Sequence, residues 1–154
     1  MPVELVDEKN PLNELSNLSN LEAEIALIGC LLWDNKNYEK ISDFLKDEHF
    51  VDENNKFIFK TIQNLIDKNI LVSPITIKNY LDNDDNNFDR LNYLNQIKDS
   101  APSTQNAFHY GKIIYELHLK RSLLGIAYNI ISETGKNNSD LESSALIENA
   151  ENEL

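Results

Sequence analysis

The sequence is poor in cysteine and in basic residues, and each shortage restricts its function. Its 154 residues contain one cysteine, Cys30, so no disulfide bond can form within the chain. A reducing cytoplasm fits this composition, and Cys30 is expected to be a small buried apolar residue. Lys and Arg number 14 against 26 Asp and Glu, which gives a net charge of −12. Such a chain repels phosphate backbones, which argues against non-specific binding of nucleic acid.

The sequence also has no apolar run long enough to cross a membrane. Residues Ile25–Trp33 carry no polar side chain, but this run has only nine residues, whereas a spanning helix needs roughly 20. The run is not N-terminal, and an acidic segment (residues 4–14) precedes it instead of the basic region of a signal peptide. We therefore interpret it as a helix buried on most sides.

Apolar residues recur at helical spacing along the chain, and no strand pattern competes with them. Helix starts are predicted at two capping boxes, Ser19–Glu22 and Ser139–Glu142, and at Asp34, Asp52, Ser73-Pro74 and Ser103. The predicted helices cover residues 20–33, 36–46, 53–68, 74–82, 88–99 and 104–134, and a last one starts near residue 139. Gly135 suits the position after the long helix, where it would end that helix in a left-handed conformation.

These elements predict an all-α protein with a compact head and a protruding antiparallel hairpin. The expected division is a flexible tail over residues 1–18, a head over residues 19–103, and a hairpin over residues 104–154 whose second arm is truncated. The predicted core of the head comes from the first and third helices: Ile25, Ile28, Leu31, Leu32, Phe59 and Ile62.

The long helix carries two apolar stripes, although a surface helix needs only one. At about 100° per residue, one stripe contains Tyr115, Leu119, Leu123, Ile126 and Ile130, and the other contains Ile113, Leu117, Leu124, Tyr128 and Ile131. One explanation is a helix that breaks at Gly125 and folds back within the monomer. The other is a hairpin that covers its second stripe with another chain.

We prefer the self-associating hairpin, and its predicted contact residues come from both stripes. Leu119, Leu123, Ile126 and Ile130 are predicted to contact a second copy. Tyr115, Leu124 and Tyr128 come next, and either stripe is a candidate for contacting another partner.

The chain shows no catalytic or metal-binding motif. Gly135-Lys136 resembles part of a phosphate loop, but Asn137 stands where that motif needs Ser or Thr. His109 and His118 fall on opposite sides of the long helix, and His49 lies in a predicted loop, so the three histidines do not form a ligand set. We therefore predict no catalytic residue, no metal and no cofactor in this chain.

Seven segments, in order, resemble the N-terminal domain of replicative DNA helicases of the DnaB type. They are Glu22–Glu24, Ile28–Asn35, Asp47–Phe50, Lys56–Phe59, Ile75–Leu81, Leu91–Leu94 and Ala101–Tyr110. The resemblance covers about residues 21 to 136. Three positions depart from the family pattern: Trp33 replaces a Leu or Met, Asn55 replaces a His, and Asp89-Arg90 replaces paired glycines.

The resemblance implies a non-catalytic assembly domain. In such helicases the hairpins of neighbouring subunits form dimers, three dimers form a collar on the hexamer, and primase docks at the collar. The full-length protein would then be an ATP-dependent helicase, with ATP, Mg²⁺ and nucleic acid bound by a motor domain absent from this sequence. The sequence ends inside the last predicted helix, at Leu154, so we expect a longer chain.

Two other classes of function stay open at this stage. One is a stand-alone helical adaptor that binds replication proteins, which a gene ending near Leu154 would favour. The other is a small all-α metal-dependent hydrolase, against which the separated histidines argue. No membrane partner is expected, and the cytoplasm is the expected location.

Overall fold

The structure is a computed structural model, and it describes residues 17–81, 89–102, 104–136 and 142–154. All regular elements of these residues are helical, which confirms the predicted all-α class. The α-helices are α1 (Leu21–Trp33), α2 (Glu53–Asp67), α3 (Pro74–Ile77), α4 (Arg90–Ser100), α5 (Ala107–Gly135) and α6 (Ser143–Glu153). Short 3-10 helices cover Asn35–Lys40, Asp47–His49, Lys78–Tyr80 and Thr104–Asn106.

The contacts divide the chain into two compact units. The head unit comprises residues 20–116. The hairpin unit comprises the second half of α5 together with α6, residues 117–154, and the described residues 17–19 before α1. The predicted boundary at residue 103 differs from this division, because the first half of α5 buries Ala107, Gly111 and Ile114.

The core of the head unit is built around α1. Of the residues predicted for this core, Ile28, Leu31, Leu32, Phe59 and Ile62 are buried. The sixth, Ile25, is partly buried and packs against the same cluster. The apolar run of the sequence is therefore a helix that the head surrounds.

Gly29 shows why α1 fits so closely. A Cβ atom at this position would lie 2.7 Å from the Cβ of Ala101, well inside van der Waals contact. Only glycine allows α1 to approach the end of α4 this closely.

Two predicted helix starts are confirmed at the atomic level. The Asp52 carboxylate accepts a hydrogen bond from the Asn55 backbone N–H at 2.9 Å and caps α2. The Ser73 hydroxyl accepts one from the Thr76 backbone N–H at 3.2 Å and caps α3.

The predicted cap of α1 is wrong by one residue. Asn20, not Ser19, is the N-cap, because its side-chain oxygen accepts a hydrogen bond from the Ala23 backbone N–H at 2.9 Å. Asparagine and serine are nearly equivalent N-caps, so composition alone does not separate them.

The predicted helix over residues 36–46 is also wrong. Only a 3-10 helix forms there, over Asn35–Lys40, and turns follow it. The Asn35 amide donates to the carbonyls of Leu31 (2.7 Å) and Val72 (2.9 Å), and the Asn37 amide donates to the carbonyl of Cys30 (3.1 Å). These side chains hold the segment against the end of α1 in place of a regular helix.

The long helix α5 runs unbroken from Ala107 to Gly135, so the predicted alternative of a break at Gly125 is wrong. Gly135 is the last helical residue and does not have a positive φ, contrary to the predicted left-handed end. The last helix starts at Ser143, later than predicted, and the Glu142 side chain makes no capping hydrogen bond. Ser103, most of the second capping box and most of the predicted tail lie outside the described residues.

Candidate interaction surface

The exposed apolar side chains of the hairpin unit are its main functional feature. On α5 they include Leu119, Leu123 (58% exposed), Tyr128, Ile130 and Ile131 (67%). On α6, Ile147 is 60% exposed. No described residue of α5 beyond Leu117 is buried. Exposed aliphatic residues in such numbers on one helical pair indicate a surface that contacts another molecule.

The structure places the predicted contact residues in different surroundings. Leu119, Leu123, Tyr128 and Ile130 are exposed, whereas Leu124 and Ile126 are half-buried within the hairpin unit. Ile131, which was not among the predicted contact residues, is more exposed than any of them. The position of Ile131 on the second apolar stripe of α5 could have identified it as a contact residue.

Tyr115, another predicted contact residue, packs within the head unit. Its ring lies 5.7 Å from the ring of Phe44 and 5.2 Å from that of His49, both edge-to-face. The Lys112 ammonium lies 4.7 Å from the centre of the Phe44 ring and 5.8 Å from that of Tyr115. These contacts commit Tyr115 to internal packing.

Helix α6 partly covers the first stripe of α5. A cleft of about 520 Å³ separates the two helices, and its lining includes Ile130 and Glu133 from α5 and Leu146, Asn149 and Ala150 from α6. Ile130 therefore faces α6 of its own chain, while Ile131 on the next position faces outward. Of the second stripe, Tyr128 and Ile131 stay exposed to solvent, whereas Leu124 is half-buried.

A hydrogen bond ties the segment before α1 to the hairpin. The Arg121 guanidinium donates to the backbone carbonyl of Leu18 at 2.6 Å. Arg121 therefore holds the segment before α1 against α5 within the hairpin unit.

The head unit contains a buried polar network that the sequence analysis missed. The Glu24 carboxylate accepts hydrogen bonds from the backbone N–H groups of Val51 (2.6 Å) and Asp52 (3.4 Å) and from the Asn55 amide (2.9 Å). The Tyr93 hydroxyl donates to the side-chain amide oxygen (Oδ1) of Asn55 at 2.9 Å. The network links α1, the start of α2, and α4, so it holds these three helices in place within the head unit.

Burial raises the pKa of Glu24 above its ordinary value of 4.5, and the hydrogen bonds from Val51, Asn55 and Asp52 act in the opposite direction. Burial likewise raises the pKa of Tyr93. Glu24 is buried, and Tyr93 is partly buried against the core of the head unit.

The structure also shows the surroundings of His49. His49 was predicted to lie in a loop, as a solvated or a capping residue. It is buried and capping: its Nδ1 accepts a hydrogen bond at 3.1 Å from the backbone N–H of Lys46, the N-cap residue of the 3-10 helix Asp47–His49. No group of three or more His, Cys, Asp or Glu side chains within the described ranges could hold a metal ion. None of the described helices is long and apolar enough to cross a membrane.

Comparison with known protein families shows which family this chain belongs to. The family model for the DnaB-like helicase N-terminal domain matches residues 16–116. The chain belongs to this family.

The chain is also similar in sequence to replicative DNA helicases of bacteria. The chain is 32% identical over 138 residues to the replicative DNA helicase DnaB of Rickettsia conorii, and 31% identical to that of Rickettsia bellii. Each alignment covers 88% of this chain and 28% of the helicase. The chain thus spans less than a third of the length of these curated relatives.

Solved structures of DnaB-like proteins share the fold. The N-terminal domain of DnaB helicase from Mycobacterium tuberculosis matches 88% of this chain and 95% of its own, with a TM-score of 0.77 and 19% identity. A DnaB-like replicative helicase, described together with its interactions with primase, matches 87% of this chain and 30% of its own, with a TM-score of 0.70 and 24% identity.

The three departures from the DnaB-type pattern all make contacts between elements of the head unit. Asn55 bridges Glu24 and Tyr93. The Trp33 indole donates to the carbonyl of Lys98 at 2.8 Å and so links α1 to α4. Asp89 caps α4 by accepting from the Asn92 backbone N–H at 3.0 Å.

Arg90, which follows Asp89, places its guanidinium 4.3 Å from the centre of the Phe57 ring. All these substituted side chains therefore serve the packing of this head.

Proposed function

We propose that this chain is the assembly and primase-docking domain of a hexameric replicative DNA helicase. It performs no chemistry itself. In the full-length protein a motor domain would bind ATP, Mg²⁺ and DNA, and the whole would act in the cytoplasm during replication. Membership of the DnaB-like family supports this role, and the exposed apolar hairpin supplies the surface for assembly.

The observation that carries the proposal is the contrast between Phe59, fully buried in the head, and Leu123, which is 58% exposed at the middle of the hairpin arm. A second hairpin that covered the first stripe would remove Leu123 and its neighbour Leu119 from water. The gain is about 25 cal/mol per Å² of apolar area before the cost of association is subtracted. We therefore expect a weak homodimer of this chain, from which the full-length protein would build its homohexamer.

Sedimentation of the chain at rising concentration tests the dimer. We expect a monomer at low micromolar concentration and a growing dimer fraction at about a few hundred micromolar, because the surface is modest in area. A pure monomer throughout this range would contradict the proposal.

The variant Leu123→Asp tests which surface is used. It should weaken self-association while the helical circular dichroism persists, because the residue is exposed in the monomer. The matched control is Leu71→Asp, which alters a still more exposed leucine (72%) in the head unit. Association that responds to Leu71→Asp and not to Leu123→Asp would place the contact in the head.

Primase docking is supported by the solved DnaB-like helicase, whose structure was described with its interactions with primase. For this chain the candidate contact is the second stripe, with Tyr128 and Ile131 at its exposed end. Titration with the primase encoded by the same genome should show binding that Tyr128→Ala weakens. Binding that is lost with Leu123→Asp and kept with Tyr128→Ala would assign primase to the first stripe.

A further inference from the structure

The described residues before α1 lie against the middle of α5. The Arg121 guanidinium donates to the Leu18 backbone carbonyl at 2.6 Å, and both residues are half-buried. Asn17, immediately before Leu18, has a helical conformation. Hydrogen bonds from a charged donor are stronger than those between neutral groups, so this bond fixes Leu18 on the surface of α5.

The second apolar stripe of α5 runs beside Arg121. At about 100° per residue, Leu124 and Tyr128 lie within about 60° of Arg121 around the helix. Leu123, on the first stripe, lies about 160° from it by the same geometry. Helix α6 packs toward the first stripe, at Ile130, and leaves Tyr128 44% exposed. The chain that precedes Leu18 is therefore held next to an apolar face that α6 does not cover.

The sequence just before Leu18 suits a contact with that face. Residues 10–16 read Asn-Pro-Leu-Asn-Glu-Leu-Ser. Asn10 and Pro11 are favoured at the N-cap and first position of a helix. Leu12 and Leu15, three residues apart, would then share one helical face and present it to α5.

The charges of the two segments are complementary. Residues 4–14 carry four acidic side chains against one cation, Lys9. Between Leu117 and Ser132, α5 carries the cations Lys120 and Arg121 and no acidic residue. In a chain of net charge −12, this is a place where an acidic segment meets cations without acidic neighbours on the same stretch of helix.

The lengths of the two segments also agree. From Leu18 back to Leu12 a helix rises about 9 Å, and from Arg121 to Tyr128 α5 rises about 10.5 Å. The first half of α5 is packed in the head core, so its uncovered apolar side chains lie beyond Arg121. A segment that is already tethered at Leu18 has a high effective concentration at this face, so weak contacts are enough to hold it.

We propose that residues 10–16 dock on the second stripe of α5 in the same chain, with Leu15 beside Leu124 and Leu12 beside Tyr128. The N-terminal segment thus shields this stripe from solvent. A molecule that uses the same stripe, as proposed above for primase, has to displace the segment first. The docking itself is a contact within one chain and does not rest on that proposed function.

Paired cysteine substitutions test the docking. One variant carries Leu15→Cys with Leu124→Cys, and its matched control carries Leu15→Cys with Leu123→Cys. The two partner positions are neighbours along α5 and differ in the stripe they occupy. The native Cys30 is fully buried, so it stays out of reach of both.

The two variants should differ in their rate of disulfide formation. At about 1 μM under mild oxidation, the Leu124→Cys variant should form its disulfide within the chain roughly tenfold faster than the control, because the bond needs Cβ atoms about 4 Å apart. Mass spectrometry after thiol alkylation measures the rate, and non-reducing gel electrophoresis separates disulfides within a chain from those between chains.

The hydrogen bond at Leu18 is tested in the same background. Adding Arg121→Gln should slow the disulfide with Leu124→Cys roughly threefold or more, because it removes the charged donor that holds the segment. Lys36→Gln, which removes a cation from an exposed site of the head unit, should leave the rate unchanged. Circular dichroism verifies that each variant keeps its helical content.

Equal disulfide rates in the two cysteine variants, or a rate that Arg121→Gln does not change, would overturn the docking. Disulfides that form with Leu124→Cys only between chains, and only at high concentration, would assign the second stripe to a second copy and would also overturn it. Each of these results leaves the proposed function standing, because that function rests on family membership and on the exposed first stripe.

Discussion

Glycines lie inside helices in both units, but their surroundings differ. In the head unit, a Cβ atom on Gly29 would meet Ala101 at 2.7 Å, and one on Gly111 would meet Ile41 at 2.8 Å. In the hairpin unit, Gly125 has open space around it. The head uses glycine to bring α1 and α5 close to neighbouring segments, whereas no contact among the described residues of the hairpin requires Gly125.

The single helix α5 shows the same difference along its length. Its first half buries Ala107, Gly111 and Ile114 in the head core, and none of its residues from Leu117 to Gly135 is buried. Burial of apolar area is the dominant stabilising term in folding. The head can therefore fold from its own contacts, and the hairpin is expected to gain stability from another chain.

The largest expected effect is a loss of stability in the head unit, seen when one apolar residue in each unit is replaced by alanine. Phe59→Ala should lower the free energy of unfolding by about 3–5 kcal/mol, because the ring is fully buried. Leu123→Ala should change it by less than about 0.5 kcal/mol in the dilute monomer, because the side chain is exposed. Urea unfolding followed by the fluorescence of Trp33, the only tryptophan, measures the stability of the head. Equal losses would remove the distinction between the units.

Glycine-to-alanine substitutions should have opposite signs in the two units. Gly29→Ala should destabilise the chain by about 1–3 kcal/mol, because the added methyl group collides with Ala101. Gly125→Ala should stabilise the dilute monomer by up to about 1 kcal/mol, because alanine favours the helix and the site is open. Thermal unfolding at low concentration measures both. Destabilisation by Gly125→Ala would reveal an internal contact within the hairpin.

The smallest expected effect concerns pH and is confined to the head. Burial raises the pKa of Glu24 above 4.5 in the folded protein. The stabilisation that the protonated Glu24 side chain contributes is therefore fully present below pH 4.5, and it is lost as the pH rises through the higher folded-state pKa. The variant Glu24→Gln should lack this decline. Its free energy of unfolding, measured from about pH 4 to pH 7, should therefore rise relative to that of the wild type as the pH increases.

The control for Glu24→Gln is Glu22→Gln, which removes one exposed carboxylate from the same turn of α1. If both variants change the pH dependence equally, the effect comes from net charge and not from the buried network.

Local sequence signals predicted much of the fold. The caps at Asp52 and Ser73 were correct because a side chain bonding its own backbone three residues later is encoded locally. The segment after α1 was wrong because Asn35 bonds the distant Val72 backbone, which periodicity does not reveal. Glu24 was missed as a buried group because its partners lie 27 to 31 residues away along the chain.

The contact surface was predicted in outline only. The two-stripe pattern of α5 located the exposed apolar residues, since helix geometry follows directly from spacing. It did not show that Tyr115 packs against Phe44 and His49, or that α6 lies against Ile130 and leaves Ile131 outward. Those outcomes depend on which neighbours reach each stripe.

Hydrogen exchange at low and high protein concentration tests the central claim most directly. The account predicts that buried amides of the head unit, such as those around Ile28 and Phe59, exchange slowly at both concentrations. Amides of α5 beyond Leu117 and of α6 should exchange quickly when the chain is dilute and become protected when it is concentrated. Protection of the hairpin that is the same at both concentrations would contradict the claim that a second copy stabilises it.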